Sequence, residues 1–278
     1  MLERVKLLWS KTNRWHRVVA MFVLAELSLI PGGKIGFVCN DPALSHAYTG
    51  DTINWKWILS ISAFLPLVVM LIVERQNKCD DRNSDRARQQ ALCWFKEYFY
   101  GLLMNLTTVQ VLKQLVGSPR PHFFDTCRPY EANTCQESEY VSRYTCTEAH
   151  WLSQSNKSFP SGHTSLAVHC AAFITYYLWA RCGGRGSRRV RCAQLASASG
   201  ALLCAASRVW DRRHHWWDVL AGALIGAAFL LYTIFKLCNN FECKDPIGRD
   251  STRHDQEVAL NGGGGSGACA PPRPAPRS

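Results

Sequence analysis

The sequence predicts an all-α membrane protein with six transmembrane helices. Hydrophobic residues make up 47% of its 278 residues, and they gather into long apolar segments separated by polar loops. A helix needs about 20 mainly apolar residues to cross the hydrocarbon core of a bilayer. The segments that approach this length are the six predicted spans, residues 17–36, 55–73, 91–112, 161–181, 193–207 and 216–238.

Two of the predicted spans need support from their neighbours. The fifth, 193–207, is short, and the third contains Lys96 and Glu97. Polar or helix-breaking residues also lie in the first two spans, namely Glu26, Pro31 and Pro66. Because such residues are costly in lipid, we expect them to face neighbouring helices instead of acyl chains.

The distribution of Lys and Arg predicts the orientation of the spans. Basic residues collect before the first span, after the second and after the fourth, which places these segments and both termini in the cytosol. Residues 37–54, 114–160 and 207–215 then face the cell exterior or an organelle lumen. The predicted organisation is a cytosolic N-terminus (1–16), a six-helix membrane domain (17–238) and a disordered cytosolic tail (239–278) rich in Gly and Pro.

The net charge of +11 reflects these cytosolic loops. Nucleic-acid binding is not expected, because no soluble basic stretch is interleaved with stacking aromatic residues. Attraction to anionic lipid explains the charge better.

The thirteen cysteines fall into two groups. Those in or beside apolar segments should be reduced and packed as small hydrophobic residues: Cys93, Cys170, Cys192, Cys204 and Cys238. Candidates for disulfide bonds lie in the long exterior segment: Cys127, Cys135 and Cys146. Three cysteines cannot all pair with one another, so one of them is either free or bonded to Cys39. A candidate glycosylation site, Asn156, lies in the same segment.

Three short motifs carry polar residues to the exterior ends of the spans: KQLVGSPRP (113–121), PSGH (160–163) and SRVWDRRHHWWD (207–218). Lys113, Arg120 and Arg208 supply cations suited to phosphate oxygens. Ser161 and Gly162 stand where a helix should begin, and a helix N-terminus favours an anion. Together these residues predict a site for a phosphomonoester.

The histidines of the motifs predict the chemistry. His214 precedes Asp218 by four residues, so the carboxylate can orient one ring nitrogen and leave the other free to attack phosphorus. His163 would protonate the leaving oxygen and later accept a proton from water. This scheme needs no metal and no cofactor. The other polar residues of these loops have simpler interpretations: Arg213 is expected to be solvated, and Asp211 and Arg212 to form a surface pair.

The three motifs resemble the signature of the type 2 phosphatidic acid phosphatase superfamily, in particular the integral-membrane lipid phosphate phosphatases of animals. The matching residues follow the pattern Lys-x6-Arg-Pro, Pro-Ser-Gly-His and Ser-Arg-x5-His-x3-Asp. The resemblance covers roughly residues 15–238. It departs at Trp210 and Trp217, where smaller polar residues are expected.

The resemblance implies a magnesium-independent enzyme that hydrolyses phosphatidate, lysophosphatidate, sphingosine 1-phosphate and ceramide 1-phosphate through a phosphohistidine, with its active site on the extracytoplasmic face. It implies residence in the plasma membrane, or in the Golgi or endoplasmic reticulum, and leaves a homo-oligomer open. Two alternatives are a non-catalytic membrane scaffold related to the phosphatases and a transporter. The complete set of signature residues argues against the scaffold, and no pair of broken helices suggests a transporter.

Overall fold

The computed structural model describes residues 13–76, 84–182 and 187–241. Six long helices lie in these ranges: α1 (Arg14–Glu26), α2 (Trp55–Gln76), α3 (Ser84–Val116), α4 (Gly162–Cys182), α5 (Arg188–Trp210) and α6 (Trp216–Tyr232). Shorter pieces are the helices Phe123–Cys127 and Leu152–Ser155 and the strands β1 (Phe37–Val38) and β2 (Tyr140–Val141). The all-α prediction is therefore confirmed, since the strands form only one short antiparallel pair.

The first predicted span, 17–36, is wrong at its C-terminal end. Helix α1 ends at Glu26, ten residues before the predicted boundary. The chain beyond it contains Pro31 and then packs against the end of α3, where the Gly33 N–H donates to the Gln114 carbonyl at 3.0 Å. A Cβ at Gly33 would lie 2.2 Å from the Leu115 carbonyl oxygen, so this close backbone approach requires glycine.

Helix α4 lies at the centre of the bundle and packs against α2, α3, α5 and α6. Its buried side chains include Leu166, Phe173 and Tyr177, which belong to the main hydrophobic core. Most of its residues are buried, so α4 fixes the positions of the other helices.

Two of the described helices are long and apolar enough to cross a membrane, α2 and the segment Trp216–Leu237, which extends α6 by a π-helical turn. Both expose large apolar side chains to the surroundings, among them Phe64 and Val68 on α2 and Leu224 and Leu231 on α6. An outward apolar face on a helix that is already packed on its inner side suits lipid better than water.

The segments 37–54 and 114–160, which are predicted to be exterior, join into one structure at one end of the bundle. Strands β1 and β2 pair the first segment with the second. The Cys39–Cys135 disulfide reinforces this pairing, and the Cys127–Cys146 disulfide closes a loop within the second segment. Cys39, the partner that the sequence left open, thus pairs with Cys135. Cys93 does not fit the expected group of reduced thiols, because it is disulfide-bonded.

The packed structure continues to Phe241, three residues beyond the predicted end of the membrane domain at residue 238. Residues Asn239–Phe241 form a 3-10 turn, and the Phe241 ring contacts Trp94, Phe173 and Tyr177. Burial of an aromatic ring in this cluster explains why the chain is held there. The remainder of the predicted tail and residues 1–12 lie outside the described residues.

Candidate active site

A cavity of about 470 Å³ opens where the three motifs meet. Its wall includes six of the predicted site residues: Lys113, Arg120, Gly162, His163, Arg208 and His214. These residues come from the end of α3, the loop after it, the start of α4, the end of α5 and the loop before α6. Chain segments separated by up to 101 positions in sequence (113 to 214) therefore supply one polar cavity.

The third motif places Asp218 in the first turn of α6. His215 is the N-cap residue of this helix, and its backbone N–H donates to Asp218 Oδ2 at 3.0 Å. A carboxylate at this position also interacts favourably with the helix dipole. Ser158 donates its hydroxyl to the same oxygen at 2.5 Å. These two hydrogen bonds fix the Asp218 carboxylate before any substrate binds.

His214 lies in the loop before α6 with its Nδ1 atom 3.7 Å from Asp218 Oδ2. This separation is longer than a hydrogen bond, and the His215 Nδ1 atom is closer to that oxygen, at 3.4 Å. Catalytic hydrogen bonds often tighten only when substrate binds. Burial lowers the pKa of His214 well below its ordinary value, and Lys113 and Arg120 add to this effect although Asp218 opposes it. The ring is therefore neutral near pH 7, as a nucleophile must be.

The start of α4 packs tightly against α6. The Ser161 N–H donates to the Asp218 carbonyl at 2.9 Å, and the Ser161 hydroxyl lies 3.0 Å from the Thr164 hydroxyl. Ser161 does not line the cavity, so its predicted contact with phosphate would require the hydroxyl to leave Thr164. Gly222 on α6 allows this packing, because a Cβ there would lie 2.4 Å from the Ser161 carbonyl oxygen.

His163 faces the cavity from the first turn of α4. Its Nε2 atom lies 3.1 Å from the Ile53 carbonyl oxygen, and its ring packs edge-on against Trp55. Since a carbonyl oxygen only accepts, Nε2 carries a proton in this arrangement. The exterior segment before α2 thus orients the histidine.

Lys113 and Arg120 meet at one backbone carbonyl. Lys113 donates to the Lys157 oxygen at 2.8 Å, and Arg120 Nη2 donates to the same oxygen at 3.3 Å. The Nε atom of Arg120 is buried and has no hydrogen-bond partner. Burial, followed by the charge of Arg213, lowers the pKa of Arg120 to about 9, so it remains a cation at pH 7. A buried donor without a partner suits an incoming anion.

Arg208 is buried between two carboxylates. Its Nη1 atom donates to Asp51 Oδ1 and its Nη2 atom to Asp211 Oδ2, both at 2.8 Å. The expected surface pair of Asp211 and Arg212 is therefore wrong: Asp211 is buried on Arg208 and also accepts from Thr52, whereas Arg212 is exposed.

Sequence reasoning also missed Ser158, Asp51 and Arg213. Arg213 was expected to be solvated, yet it is buried and lines the cavity. Asp51 and Ser158 lie outside the three motifs, and they reach the site only because the exterior segments fold together. No local pattern distinguishes them from ordinary loop residues.

Asn156, the candidate glycosylation site, is only 6% exposed, and its Oδ1 atom is buried without a hydrogen-bond partner. It immediately precedes Lys157, whose carbonyl receives Lys113 and Arg120. A glycan on Asn156 would have to displace this segment of the site.

The fold and site together define a class of protein: a helical bundle that holds two histidines and several cations around one polar cavity. Comparison with known protein families identifies the family. The chain belongs to the PAP2 superfamily, whose family model matches residues 94–240.

Curated relatives agree with this assignment. A protein named putative phosphatidate phosphatase from Drosophila melanogaster is 34% identical over 223 residues, which cover 70% of this chain and 59% of the relative. A phospholipid phosphatase homolog 1.2 homolog from Caenorhabditis elegans is 32% identical over 74% of this chain and 66% of the relative. Phospholipid phosphatase 1 of Mus musculus is 27% identical over 74% of this chain and 76% of the relative.

The chain thus spans about three fifths to two thirds of the length of the first two relatives. No solved structure matches it.

Proposed function

We propose that this protein is a magnesium-independent lipid phosphate phosphatase that works through a phosphohistidine intermediate. The observation that carries the proposal is the convergence of Lys113, Arg120, Arg208, His163 and His214 on one cavity. Membership of the PAP2 superfamily and the phosphatase names of the relatives support it.

In the first step the Nε2 lone pair of His214 attacks phosphorus, and the bond from phosphorus to the alcohol oxygen breaks. Asp218 stabilises the positive charge that develops on the His214 ring. The negative charge of the bound phosphate favours a protonated His163, which gives its proton to the departing oxygen and becomes neutral. The cations Lys113, Arg120 and Arg208 stabilise the charge on the phosphoryl oxygens.

In the second step water attacks the phosphohistidine. Neutral His163 accepts a proton from that water, the phosphorus–nitrogen bond breaks, and His214 recovers its lone pair. Inorganic phosphate then leaves, and the site returns to its starting protonation state. The chain's own cations and histidines account for every charge and proton in this cycle.

Several features favour a lipid as the substrate. Three tryptophans of the third motif, close to His214 in sequence, are exposed: Trp210, Trp216 and Trp217. Indole rings favour the boundary between water and lipid. A lipid headgroup at this depth would reach the cavity by lateral diffusion. We infer that phosphatidate, lysophosphatidate, sphingosine 1-phosphate and ceramide 1-phosphate are the candidate substrates.

The proposal includes a six-span arrangement with the site on the extracytoplasmic face. The six long helices of the described residues support it, together with the exterior disulfides, since disulfides form in oxidising compartments. The plasma membrane, the Golgi and the endoplasmic reticulum all satisfy this topology.

The test is release of phosphate from phosphatidate and lysophosphatidate in mixed micelles with excess chelator. We expect the wild-type protein to release phosphate at the same rate with and without chelator. His214→Ala and His163→Ala should each lower the rate by at least about 1,000-fold, because one removes the nucleophile and the other the acid. His150→Ala, which changes an exposed histidine of segment 114–160, should retain wild-type activity.

A folded wild-type protein that released phosphate from none of the lipid phosphates would refute the enzyme and favour the scaffold. Release that stopped on chelation would refute the metal-independent mechanism. A scaffold or transporter function would survive His214→Ala, and a phosphatase function would not.

A further inference from the structure

Arg213 occupies an unusual position for an arginine of a polar loop. Its neighbour Arg212 is exposed, but Arg213 is only 7% exposed and lines the cavity beside His214. It is not one of the signature residues. We propose that Arg213 is a further phosphate-binding residue, which forms one anion clamp with Arg208; this inference rests on the proposed function.

A single carboxylate oxygen joins the two arginines. Asp51 Oδ1 accepts from Arg208 Nη1 at 2.8 Å and lies 3.1 Å from Arg213 Nε. The backbone next to Asp51 is itself fixed, because the Thr52 N–H donates to Asp211 Oδ2 at 2.8 Å. The two guanidinium groups are thus held side by side by groups that are anchored independently of any ligand.

Arg208 has little capacity left for a phosphate. Its Nε and one Nη2 hydrogen point to the Ser207 hydroxyl, the other Nη2 contact is Asp211, and Nη1 contacts Asp51. A guanidinium carries five N–H groups, so at most one of them remains, on Nη1. One N–H donor binds weakly to a phosphate group that carries up to two negative charges.

Arg213 has more donors to offer. Its Nε contacts Asp51, while Nη1 lies 3.4 Å from His122 Nε2 and Nη2 lies 3.4 Å from Gln154 Oε1. Each Nη atom carries a second hydrogen that these contacts do not use. Both acceptors are neutral and distant, so they orient the guanidinium without neutralising its charge.

The surroundings also hold the Arg213 side chain in place. His122 Nδ1 lies 3.1 Å from the Thr126 hydroxyl, which leaves Nε2 as the acceptor facing Arg213. The Tyr48 ring packs 4.9 Å from the guanidinium carbon. An arginine enclosed on these sides and open toward the cavity is arranged to bind an anion bidentately.

The experiment uses inorganic phosphate as the probe, both as a product inhibitor of the lipid phosphatase assay and as a stabiliser in thermal unfolding without substrate. Arg213→Ala should raise the inhibition constant for phosphate by about tenfold or more, because the loss of one charge-assisted hydrogen bond weakens binding by about this factor. Arg213→Lys should recover part of this loss, because lysine keeps the positive charge but lacks the paired N–H donors of the planar guanidinium. Arg212→Gln, at the adjacent exposed arginine, should match the wild type.

The outcomes separate this inference from the proposed function. A folded Arg213→Ala protein with an unchanged inhibition constant, or with a lowered unfolding temperature as its only change, would overturn the role of Arg213 while the phosphatase stands. If the wild type released no phosphate from lipids, the unfolding experiment would still test whether Arg213 binds phosphate. Selective loss of the phosphate-induced stabilisation in Arg213→Ala would support the clamp, and equal stabilisation of both proteins would overturn it.

Discussion

His122 shows how one buried residue links the site to the stability of the protein. It is fully buried, with Thr126 near one ring nitrogen and Arg213 near the other. Burial lowers its pKa to about 3, and the charges of Arg120 and Arg213 contribute to the shift. The folded protein therefore keeps this ring neutral over a pH range in which an unfolded chain would protonate it.

This difference predicts a loss of stability on acidification. As the pH falls below 6.5, the ordinary value, the unfolded chain binds a proton that the folded chain does not, and the free energy of unfolding decreases. From this residue alone the loss should reach about 2 kcal/mol at pH 5, at 1.36 kcal/mol per pH unit. The measurement is thermal unfolding in detergent between pH 7.5 and pH 5.

Two variants make the measurement specific. His122→Gln should lose less stability than the wild type over this range, whatever its stability at pH 7.5. His150→Gln, which changes an exposed histidine, should follow the wild-type curve. Parallel curves for wild type and His122→Gln would contradict the prediction.

At the scale of elements, the contact between α4 and α6 sets the geometry of the site. Gly222 brings α6 against the first residues of α4, and Gly226 repeats the approach one turn later, against the Ser165 carbonyl. The same contact carries the hydrogen bond from Ser161 to Asp218. Displacing α6 would therefore move Asp218 and the adjoining His214 together.

Gly222→Ala tests this dependence. The new Cβ would lie 2.4 Å from a backbone oxygen, so the helices must separate. We expect a loss of about 1–3 kcal/mol in the free energy of unfolding from overpacking and at least a tenfold fall in kcat. Thermal unfolding and the phosphate-release assay provide the measurements.

Gly200→Ala is the matched control, because a Cβ at this helical position in α5 meets nothing within 4 Å. It should keep full activity and gain about 0.5–1 kcal/mol, since alanine favours a helix over glycine. Equal activity of the two variants would show that the α4–α6 spacing does not control the site.

At the scale of the whole molecule, the proposed topology places the site and the basic end of α5 on opposite faces of the membrane. Cys192 is an exposed free thiol near the N-terminal end of α5, whereas Ser142 is exposed in the exterior segment. The two positions therefore report on opposite faces.

A membrane-impermeant maleimide tests this arrangement on protein at the surface of intact cells. The peptide containing Cys192 should be modified only after the membrane is permeabilised, as read by mass spectrometry. A Ser142→Cys protein should be modified at the new thiol in intact cells. Modification of Cys192 in intact cells would reverse the predicted orientation.

Local patterns predicted much of this molecule. Long apolar segments mark five of the six helices within a few residues at most boundaries, because a helix that faces lipid or a core must be apolar along its length. The exception is α1, whose end depends on backbone packing of Gly33 against α3, a contact that no local pattern records.

The sequence by itself determined the helical class, the family and the identities of the motif residues, because these depend on residue type and short spacing. Only the tertiary structure decided which distant groups meet: Cys39 with Cys135, Asp51 with two arginines, and Ser158 with Asp218. It also decided that Arg213 is buried and that the His215 Nδ1 atom lies nearer to the Asp218 carboxylate than the His214 Nδ1 atom does. Such contacts arise from the packing of segments far apart in the chain, and that packing depends on the whole fold.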